Sequence, residues 1–426
     1  MRIVILTVGS RGDVEPFIAL GAGLTRAGHA VRLATHELFR DAVTGAGLAF
    51  ASLPGDPRAL RAEVEPELAR TGSRQFRVIS RIRRAVAAGV GDLVRDAETA
   101  CRDAEVILYR DVLFAVGYSL AEATGSRPVA ATLVPRTPTR AFAFPRPLPF
   151  GGAGNLLSYR LTEQLFWQLL RPSVNRWRTT ELGLPPYSLA GPVPDSRRRR
   201  TPILCGFSEA LVPRPPDWPP ENHITGFWAM SPPEGWQPPP DLVDFLTAGS
   251  PPIFVGFGSS TGSDAEALTA LVVEALARVG RRGVLAMGWG GLSPSAAARS
   301  DRIFVVESVP HAWLLPRVAA VVHHGGAGTT AAGLRAGRPS VVIPSFGDQF
   351  FWADRVSALG AGPAPIPRTR LTAARLAEAI RSATTEGSIG LRAEILGRRL
   401  QAEDGVAAAV AALTHHLEAD AWRWDR

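Results

Sequence analysis

A glycine-rich segment in the second half of the chain holds the residues best suited to bind phosphate. It runs from His323 to Thr330 with the sequence His-His-Gly-Gly-Ala-Gly-Thr-Thr, after the apolar residues 319–322 and into a predicted helix over 329–336. A tight turn from a strand into a helix leaves backbone N–H groups unpaired and points the positive end of the helix dipole outwards. The segment therefore predicts a binding site for phosphate oxygens, and for a diphosphate in particular.

A carboxylate and an amide, Asp348 and Gln349, follow the next predicted strand and Pro344. Side by side, these two groups can hold several hydroxyls of a sugar, because they combine acceptor oxygens with an NH2 donor. Asp-Gln pairs are also common in loops. The pair by itself is therefore weak evidence for a sugar site.

A third polar turn, Gly9-Ser10-Arg11-Gly12-Asp13, follows the first predicted strand, over 2–8. It leads into a predicted amphipathic helix with Pro16 in its first turn. Asp13 thus lies at the C-terminal end of a strand, where doubly wound sheets expose their sites. The turn lacks the three-glycine spacing of a pyrophosphate-binding turn, so the phosphate site is predicted in the second half.

Length and composition limit the chemistry that these groups can support. The 426 residues fit two domains of about 200 residues each. All 47 basic residues are Arg, which excludes a Walker P-loop, pyridoxal enzymes and Schiff-base aldolases, since each needs a lysine. The net charge of +8 is carried by scattered Arg residues without a recognised nucleic-acid module, so no nucleic-acid partner is predicted.

The cysteines and the apolar segments indicate the compartment. Cys101 and Cys205 match no metal or redox spacing and are predicted to be reduced core thiols of a cytoplasmic protein. The apolar start, 1–8, is too short for a signal peptide, and no stretch reaches about 18 apolar residues. We therefore expect a soluble, cytoplasmic protein, at most peripheral to a membrane.

Two basic segments leave membrane contact open. The run Arg197–Arg200 is predicted to be a solvated linker face, with an acidic membrane surface as the alternative. The stretch 74–90 alternates apolar residues with five Arg and predicts a basic amphipathic helix. That helix is a solvated face, an acceptor lid or a membrane-surface contact.

Each half of the chain repeats an α/β pattern, which predicts two doubly wound parallel sheets. The predicted strands lie at 2–8, 31–34, 106–109 and 129–133 in the first half, and at 253–259, 283–287, 303–306, 319–322 and 340–343 in the second. Dense prolines between roughly 184 and 252 predict the connection between domains. The predicted units are an N-terminal domain (1–212), a linker (213–240), a C-terminal domain (241–403) and a helix (404–426) that packs back on the N-terminal domain.

An ordered set of motifs extends along nearly the whole chain. They are Gly9–Pro16, Ala34–Glu37, Pro138–Phe142, Asn175–Arg178, Pro310–Trp313, His323–Gly337 and Phe346–Gln349. The set resembles the family 1 glycosyltransferases of GT-B fold, most closely the sterol 3-beta-glucosyltransferase branch and its bacterial relatives that glycosylate antibiotics and lipids. The resemblance implies an N-terminal acceptor-binding domain and a C-terminal domain for a nucleotide sugar, both Rossmann-like and facing across a cleft.

The resemblance also implies inverting hexose transfer from a nucleoside diphosphate sugar to an acceptor hydroxyl. Asp13 matches the position at which many relatives carry the catalytic histidine, so it is the candidate base; capping the following helix is the alternative. Asp111 lies where those relatives carry the carboxylate that orients the histidine. With no histidine at position 13, an ordinary turn or capping role is the alternative for Asp111.

The remaining implied roles concern the donor. His324 is expected to bind the α-phosphate, whereas we favour a packing role for His323. The implied donor-binding residues are Ser10, Arg11, Ser259, Val309, His311, His324, Gly326, Gly328, Thr329, Thr330, Asp348 and Gln349. A buried structural His324 and a surface Arg11 are the alternatives for those two residues.

Departures from the family limit what the resemblance implies about the nucleotide. Ser308 replaces the base-stacking tryptophan of plant members, and Ala332 corresponds to their ribose-binding glutamate. The nucleotide is thus expected to be held through the backbone near Val309 and by His311, and the sterol branch favours UDP-glucose over a dTDP-sugar. No Asp-x-Asp signature occurs at a phosphate loop, since Asp241 and Asp244 open a helix, so neither a metal nor another cofactor is implied.

Aromatic residues in the first half are expected to bind an apolar acceptor such as a sterol, a polyketide or a macrolide. Phe142, Phe144 and Phe150 are the candidates, with Phe166 and Trp167 either beside them or in the core of a helix. Two rival functions remain: a nucleotide-sugar epimerase of GT-B build, and a non-catalytic module that binds sugar nucleotides or lipids. The sequence does not indicate the acceptor, the sugar or the oligomeric state.

Overall fold

Two parallel β-sheets form the framework of the chain in a computed structural model. The structure describes residues 1–59, 91–144, 148–230, 232, 235–258, 265–289, 291–294, 300–419 and 424. The strands are β1 (Arg2–Leu6), β2 (Ala30–His36), β3 (Ala49–Leu53), β4 (Val106–Arg110), β5 (Arg127–Thr132), β6 (Ile203–Cys205), β7 (Asn222–Ile224), β8 (Ile253–Gly256), β9 (Gly283–Ala286), β10 (Ile303–Val306), β11 (Ala320–His323) and β12 (Ser340–Val342). Within these residues the N-terminal sheet has the order β3-β2-β1-β4-β5-β6-β7 and the C-terminal sheet the order β10-β9-β8-β11-β12.

Helices connect the strands. They are α1 (Arg11–Arg26), α2 (Arg40–Gly45), α3 (Phe114–Thr124), α4 (Gly151–Thr180), α5 (Val193–Arg198), α6 (Pro240–Thr247), α7 (Ala265–Arg278), α8 (His311–Leu314), α9 (Ala327–Arg335), α10 (Gln349–Ala358), α11 (Ala373–Thr385), α12 (Gly387–Gln401) and α13 (Gly405–Ala419). A further helical stretch covers 91–101, and short 3-10 turns lie at Glu37–Phe39, Asp111–Leu113, Leu315–Arg317 and Arg368–Arg370. In the described part of the chain, no helix is both long and apolar enough to cross a bilayer.

Both sheets change their direction of winding beside a central strand. In the N-terminal sheet β1 pairs with both β2 and β4, and in the C-terminal sheet β8 pairs with both β9 and β11, always in parallel. Ligands of such sheets bind outside the carboxyl ends of the strands at this switch point. A ligand site is therefore expected at the loops after β1, β4, β8 and β11, in agreement with the predicted GT-B fold.

Helix α1 is held between the N-terminal sheet and the C-terminal helix. Its apolar face, including Phe17 and Leu24, is fully buried against β1 and against Val406 and Leu413 of α13. Gly23 permits this approach, because a Cβ there would lie 2.3 Å from Cγ1 of Val406. The C-terminal helix thus packs on the N-terminal domain and fixes the position of α1.

The start of α1 differs from the sequence prediction. The helix begins at Arg11, so Pro16 lies in its second turn rather than its first. Ser10 is the extended N-cap residue, and its backbone N–H donates to Oδ2 of Asp13 at 2.8 Å, which closes the first turn early. Strand β1 also ends at Leu6 rather than at residue 8, because Gly9 turns the chain with a φ of +125°.

The proline-rich segment contributes to the N-terminal sheet. Strand β7 lies inside the segment predicted as a linker, and it pairs with β6 as the last strand of the described sheet. Pro219 and Pro220 precede β7, which is compatible with its place at an edge, where one side of the ladder needs no partner. The N-terminal sheet therefore extends beyond residue 212.

The chain end also departs from a simple helix. Helix α13 ends at Ala419, and Trp422 lies outside the described residues. Trp424 donates from Nε1 to the Ser126 carbonyl at 3.0 Å and packs edge-on against Tyr118. The predicted helix is thus shorter, and Trp424 contacts the N-terminal domain.

Candidate active site between the two sheets

The glycine-rich turn forms the start of α9, as the spacing predicted. Its N-cap residue is Gly326, which offers no side chain to the first N–H groups of the helix. The Thr330 N–H donates to the Gly326 carbonyl at 3.0 Å, so the amides of 327–329 are the ones without a partner in the helix. These three amides and the helix dipole make the start of α9 a site for an anion.

The structure changes the prediction for Thr330 and adds the amide of Ala327 to the phosphate site that was predicted. Thr330 has its amide in the helix and its side chain fully buried, so it does not face an incoming phosphate. Ala327 was missed because its side chain carries no polar group, although its amide is the first of the helix. The backbone position relative to the N-cap, rather than residue type, decides which groups are open.

The paired histidines have different environments. His323 is fully buried at the end of β11, where Nδ1 accepts the Gly325 N–H at 3.1 Å and burial lowers the imidazole pKa to about 3. It is therefore neutral and part of the core. His324 is half-buried beside the start of α9.

Two glycines make room for the His324 ring. A Cβ at Gly258 would lie 2.7 Å from Cε1 of His324, and a Cβ at Gly326 would lie 2.5 Å from its Nε2. The imidazole thus fills the space between the loop after β8 and the turn after β11. Ser259, predicted to follow in the same loop, lies outside the described residues.

On the N-terminal side, Asp13 lies in the first turn of α1 and is about one-fifth exposed (22%). Its Oδ2 accepts the backbone N–H of Ser10 at 2.8 Å and the Ser10 hydroxyl at 2.9 Å. Its Oδ1 lies 2.7 Å from a guanidinium nitrogen of Arg110. Asp13 therefore caps its helix and is also held by a cation at the edge of the cleft.

Asp111 also binds arginine. Its Oδ2 is 2.5 Å from Nε of Arg136, and its Oδ1 is 3.7 Å from Nε of Arg110. Oδ1 further accepts the Val112 N–H at 2.9 Å. Asp13, Arg110, Asp111 and Arg136 thus form a row of alternating charges, which we call the charge row, and none of these contacts places Asp111 against a histidine.

Asp348 brings a third carboxylate to the charge row from the C-terminal domain. Burial and the negative charge of Asp13 raise its pKa, the positive charges of Arg110 and Arg136 lower it, and the net result is a pKa of about 6. These influences place Asp348 within electrostatic reach of the N-terminal groups. The carboxyl ends of the two sheets therefore meet at this point.

Gln349, the second predicted sugar ligand, also holds its own loop in place. The residue is only 3% exposed, and its Oε1 accepts the backbone N–H groups of Ser345 at 2.8 Å and Phe346 at 3.3 Å. Its amide oxygen thus shapes the loop that carries Asp348. Asp348 is the member of the pair whose charge interacts with Asp13 and Arg110 of the charge row.

The predicted nucleotide-binding residues lie beside the same opening. Arg11 donates to the Ser308 hydroxyl at 2.6 Å, which joins the N-terminal and C-terminal domains. Burial lowers the pKa of His311 to about 4, with the positive charge of Arg11 adding to the effect. Val309 packs with its side chain against a core cluster of the C-terminal domain. His311 is therefore neutral and able to accept or donate one hydrogen bond per ring nitrogen.

The aromatic acceptor candidates are divided between core and surface. Phe144 is 4% exposed and packs against Tyr159 and against Phe351 of α10, so it joins the domains instead of offering an open surface. Phe142 is half-buried against the same Phe351. Phe150 is 84% exposed at the N-cap of α4.

The two other aromatic residues considered are also divided. Trp167 is buried against Tyr187, whereas Phe166 is half-exposed beneath the Arg136 guanidinium, 5.5 Å from it. The predicted basic helix over 74–90 lies outside the described residues. Phe150 and Phe166 are therefore the open aromatic rings near α4.

His36 is a residue of the site that sequence reasoning did not select. Its Nε2 accepts the Gly9 N–H at 3.1 Å, and its Nδ1 lies 3.2 Å from the Pro54 carbonyl, to which it donates. Burial lowers its pKa, so the neutral form that these bonds require is favoured. His36 thus fixes the turn that carries Ser10 and Asp13. Its place at the end of β2 was visible in the sequence, but its partner was not.

We expect His36→Phe to lower the free energy of unfolding by about 1–3 kcal/mol at pH 7.5, because the Gly9 N–H loses its acceptor. Since the pKa of His36 is lowered by folding, its contribution is complete above about pH 6.5 and declines as the pH falls through the lowered value. The difference between parent and variant in the free energy of unfolding, measured in urea, should therefore shrink as the pH falls. His36→Gln, which retains an acceptor, is the control, and a difference that stays constant down to pH 5 would contradict the assignment.

No group of three or more His, Cys, Asp or Glu side chains in the described residues could hold a metal ion. Asp241 and Asp244 lie on the short helix α6, as expected for a helix start. The polar groups of the described site are backbone amides, imidazoles, carboxylates and guanidinium groups.

Comparisons with known proteins agree with the two-domain fold. Residues 3–143 match the glycosyltransferase family 28 N-terminal domain, and residues 270–412 match the erythromycin biosynthesis protein CIII-like C-terminal domain. The solved structures of the calicheamicin glycosyltransferase CalG4 and of the glycosyltransferase VinC in complex with dTDP have the same fold. CalG4 aligns with a TM-score of 0.67 at 20% identity over 98% of this chain and 97% of its own. VinC aligns with a TM-score of 0.66 at 21% identity over 99% and 100%.

Relatives of higher identity are sterol 3-beta-glucosyltransferases. UGT80A2 and UGT80B1 of Arabidopsis thaliana are 38% and 37% identical over 98% of this chain, which spans 66% and 68% of their lengths. The enzyme of Aspergillus terreus is 36% identical, and the chain spans 30% of it. The similarity to UGT80B1, at 37% identity over 98% of this chain and 68% of that relative, shows that the chain belongs to the GT-B glycosyltransferase family that includes the sterol 3-beta-glucosyltransferases.

Proposed function

We propose that this chain transfers a hexose, with inversion, from a nucleoside diphosphate sugar to a hydroxyl of an apolar acceptor. The observation that carries the proposal is the meeting of two helix starts. The start of α9, with its open amides, adjoins the start of α1, with Asp13: a Cβ at Gly328 would lie 3.9 Å from Cα of Gly12. A leaving diphosphate on one side and a base on the other are what a displacement at the sugar carbon between them needs.

The proposed reaction assigns one task to each group. The acceptor oxygen bonds to the anomeric carbon, the bond from that carbon to the diphosphate oxygen breaks, and the hydroxyl proton passes to Asp13. The amides of 327–329 and His324 stabilise the charge that develops on the diphosphate. Asp348 accepts a hydrogen bond from a sugar hydroxyl and so orients the sugar. Attack from the side opposite the leaving group inverts the anomeric centre.

The donor is proposed to be UDP-glucose, with a dTDP-sugar as the alternative. The sterol glucosyltransferase relatives support glucose, whereas the VinC complex with dTDP supports thymidine. Ser308, Val309 and His311 are proposed to hold the base and the ribose. No metal or other cofactor is proposed, because the amides and His324 can serve the diphosphate.

The acceptor is proposed to be a sterol, a polyketide or a macrolide. An apolar group of exposed side chains supports an apolar ligand; it consists of Phe150, Leu157, Leu161, Leu165 and Phe166, at the start of α4 and along it. The names of the relatives support a sterol, and those of the structural neighbours support an antibiotic aglycone. We propose a cytoplasmic location, with peripheral contact to a membrane where the acceptor is a lipid, and the free, buried Cys101 and Cys205 fit a reducing compartment.

A matrix of two donors and two acceptor classes tests the proposal. UDP-glucose and a dTDP-hexose are each incubated with sterols and with macrolides, and products are detected by mass. A new glycoside that requires both substrates is expected. Conversion of the donor without aglycone would instead indicate an epimerase, and donor binding without any turnover would indicate a binding module.

Asp348→Asn should separate stability from activity. Because burial raises the pKa of Asp348 to about 6, its charge destabilises the fold above that pH, and this cost disappears as the pH falls from about 6 towards 4. The variant should therefore unfold at a higher temperature than the parent at pH 8 and at a similar one near pH 4. Transfer should nevertheless fall about 10–100-fold, because a charge-assisted bond to the sugar is lost. Equal melting temperatures of parent and variant at pH 8 would contradict the buried, destabilising charge of Asp348. An unchanged transfer rate would contradict its role in binding the sugar.

A further inference from the structure

Arg110 lies at the centre of the charge row and has not been assigned a role by sequence or family. It is the last residue of β4, and its side chain is 17% exposed. One terminal nitrogen donates to the Val8 carbonyl at 2.8 Å, and the other lies 2.7 Å from Oδ1 of Asp13. The guanidinium is therefore anchored beyond the end of β1 by one nitrogen and forms an ion pair with the candidate base through the other.

The contacts of Arg110 and Ser10 act on different oxygens of Asp13. Arg110 holds Oδ1, while the Ser10 N–H and hydroxyl hold Oδ2. A planar carboxylate held at both oxygens cannot rotate about its last bond, so the direction in which it meets an acceptor hydroxyl is set. Arg, unlike Lys, offers several N–H groups in a rigid fork and can anchor itself with one while it orients a partner with another.

Arg110 also separates charges that would repel each other. Burial lowers the pKa of Arg110, but the charges of Asp13, Asp111 and Asp348 raise it by more, and the charge of Asp13 in turn raises the pKa of Asp348. The charged groups facing it are Asp13 on α1, Asp111 after β4, Arg136 after β5 and Asp348 at α10. Without Arg110 the described cluster would hold three carboxylates and one guanidinium. Protonation of a carboxylate would then become easier at a given pH.

We propose that Arg110 is the positioning residue of the base: it orients Asp13 and keeps it charged opposite Asp348. This role rests on the proposed transfer reaction. Arg110 acts through Asp13 and not on the sugar, so its removal should lower kcat and leave the donor KM nearly unchanged. It should also move the acidic limb of the pH profile.

Kinetics of Arg110→Gln provide the first test. We expect kcat to fall at least tenfold, the donor KM to stay within threefold, and the acidic limb of kcat to move up by about one pH unit. Arg110→Lys should restore part of kcat and of the pH profile, because it returns the charge but not the fork. Arg32→Gln is the matched control, because the Arg32 guanidinium also forms an ion pair with an aspartate, Asp103, at 2.6 Å, but far from the cleft. Its kinetics should equal those of the parent. An unchanged pH profile in Arg110→Gln, or a loss confined to KM, would overturn the proposal.

A double-mutant cycle with Asp13→Asn distinguishes this proposal from the proposed function. Arg110→Gln should cause little further loss of transfer in the Asp13→Asn background, because the group that it positions is already disabled. Thermal unfolding of the parent, the two single variants and the double variant measures the coupling between Arg110 and Asp13 without any need for turnover. Absence of transfer by the parent would refute the proposed function, whereas strictly additive melting shifts would refute the Arg110–Asp13 unit whatever the activity.

Discussion

Asp13→Asn is expected to lower the rate of sugar transfer by about 10²–10⁴-fold, the range of a lost general base. The amide keeps the size of the side chain and one acceptor oxygen, so the cap on α1 is partly retained. It cannot take the hydroxyl proton, and it does not attract the Arg110 guanidinium. The donor should bind within a few-fold of the parent affinity, because the proposed phosphate site lies on the other domain.

Calorimetric titration with the nucleoside diphosphate, together with single-turnover transfer, separates these two effects. Asp41→Asn is the matched control, since Asp41 is also an acid in the first turn of an N-terminal-domain helix but is exposed. It should transfer sugar at the parent rate. If Asp13→Asn also transfers at the parent rate, the assignment of the base is wrong.

Gly326→Ala is expected to weaken donor binding about 10–100-fold. The added Cβ would lie 2.5 Å from Nε2 of His324, so the imidazole must leave its place beside the open amides of α9. The lost hydrogen bond to a charged phosphate has a magnitude of about 1.5–3 kcal/mol, which corresponds to that range of affinity. His324→Ala should give a similar loss, because it removes the same group.

The losses of donor affinity caused by Gly326→Ala and His324→Ala should not be additive. If Gly326→Ala acts by displacing His324, then the double variant should bind the donor no more weakly than His324→Ala alone. Gly390→Ala is the control, because Gly390 lies in α12 with open space around its Cβ position, and it should leave binding unchanged. Additive losses would show that Gly326 and His324 act on the ligand separately.

The elements that hold the site were largely predictable from local sequence. The strand–turn–helix at His323 and the turn before Asp13 were found because glycine runs between apolar strands and helices have few structural solutions. The GT-B fold followed from motifs along the whole chain. Short-range signals of this kind are retained in the structure because each is stabilised within a few residues.

The errors arose where a distant contact decides the outcome. Phe144 looked like surface, but it packs on Phe351 more than two hundred residues away. Arg110 and His36 were missed because their partners, Asp13 and Gly9, lie on other strands or turns.

The start of α1 was predicted too late because two local signals for a helix start compete. Pro16 is a strong start signal, but the capping box of Ser10 and Asp13 starts the helix earlier. One bond of this box, from the Ser10 N–H to Oδ2 of Asp13, also orients the carboxylate that we propose as the base. A local capping rule therefore contributes to the geometry of the proposed reaction.

A structure of the protein with UDP or dTDP bound tests the central claim most directly. We predict that the diphosphate oxygens lie within hydrogen-bond distance of the amides of 327–329 and of His324, with the Asp13 carboxylate facing them from the other domain. A diphosphate bound elsewhere, away from the start of α9, would contradict this account.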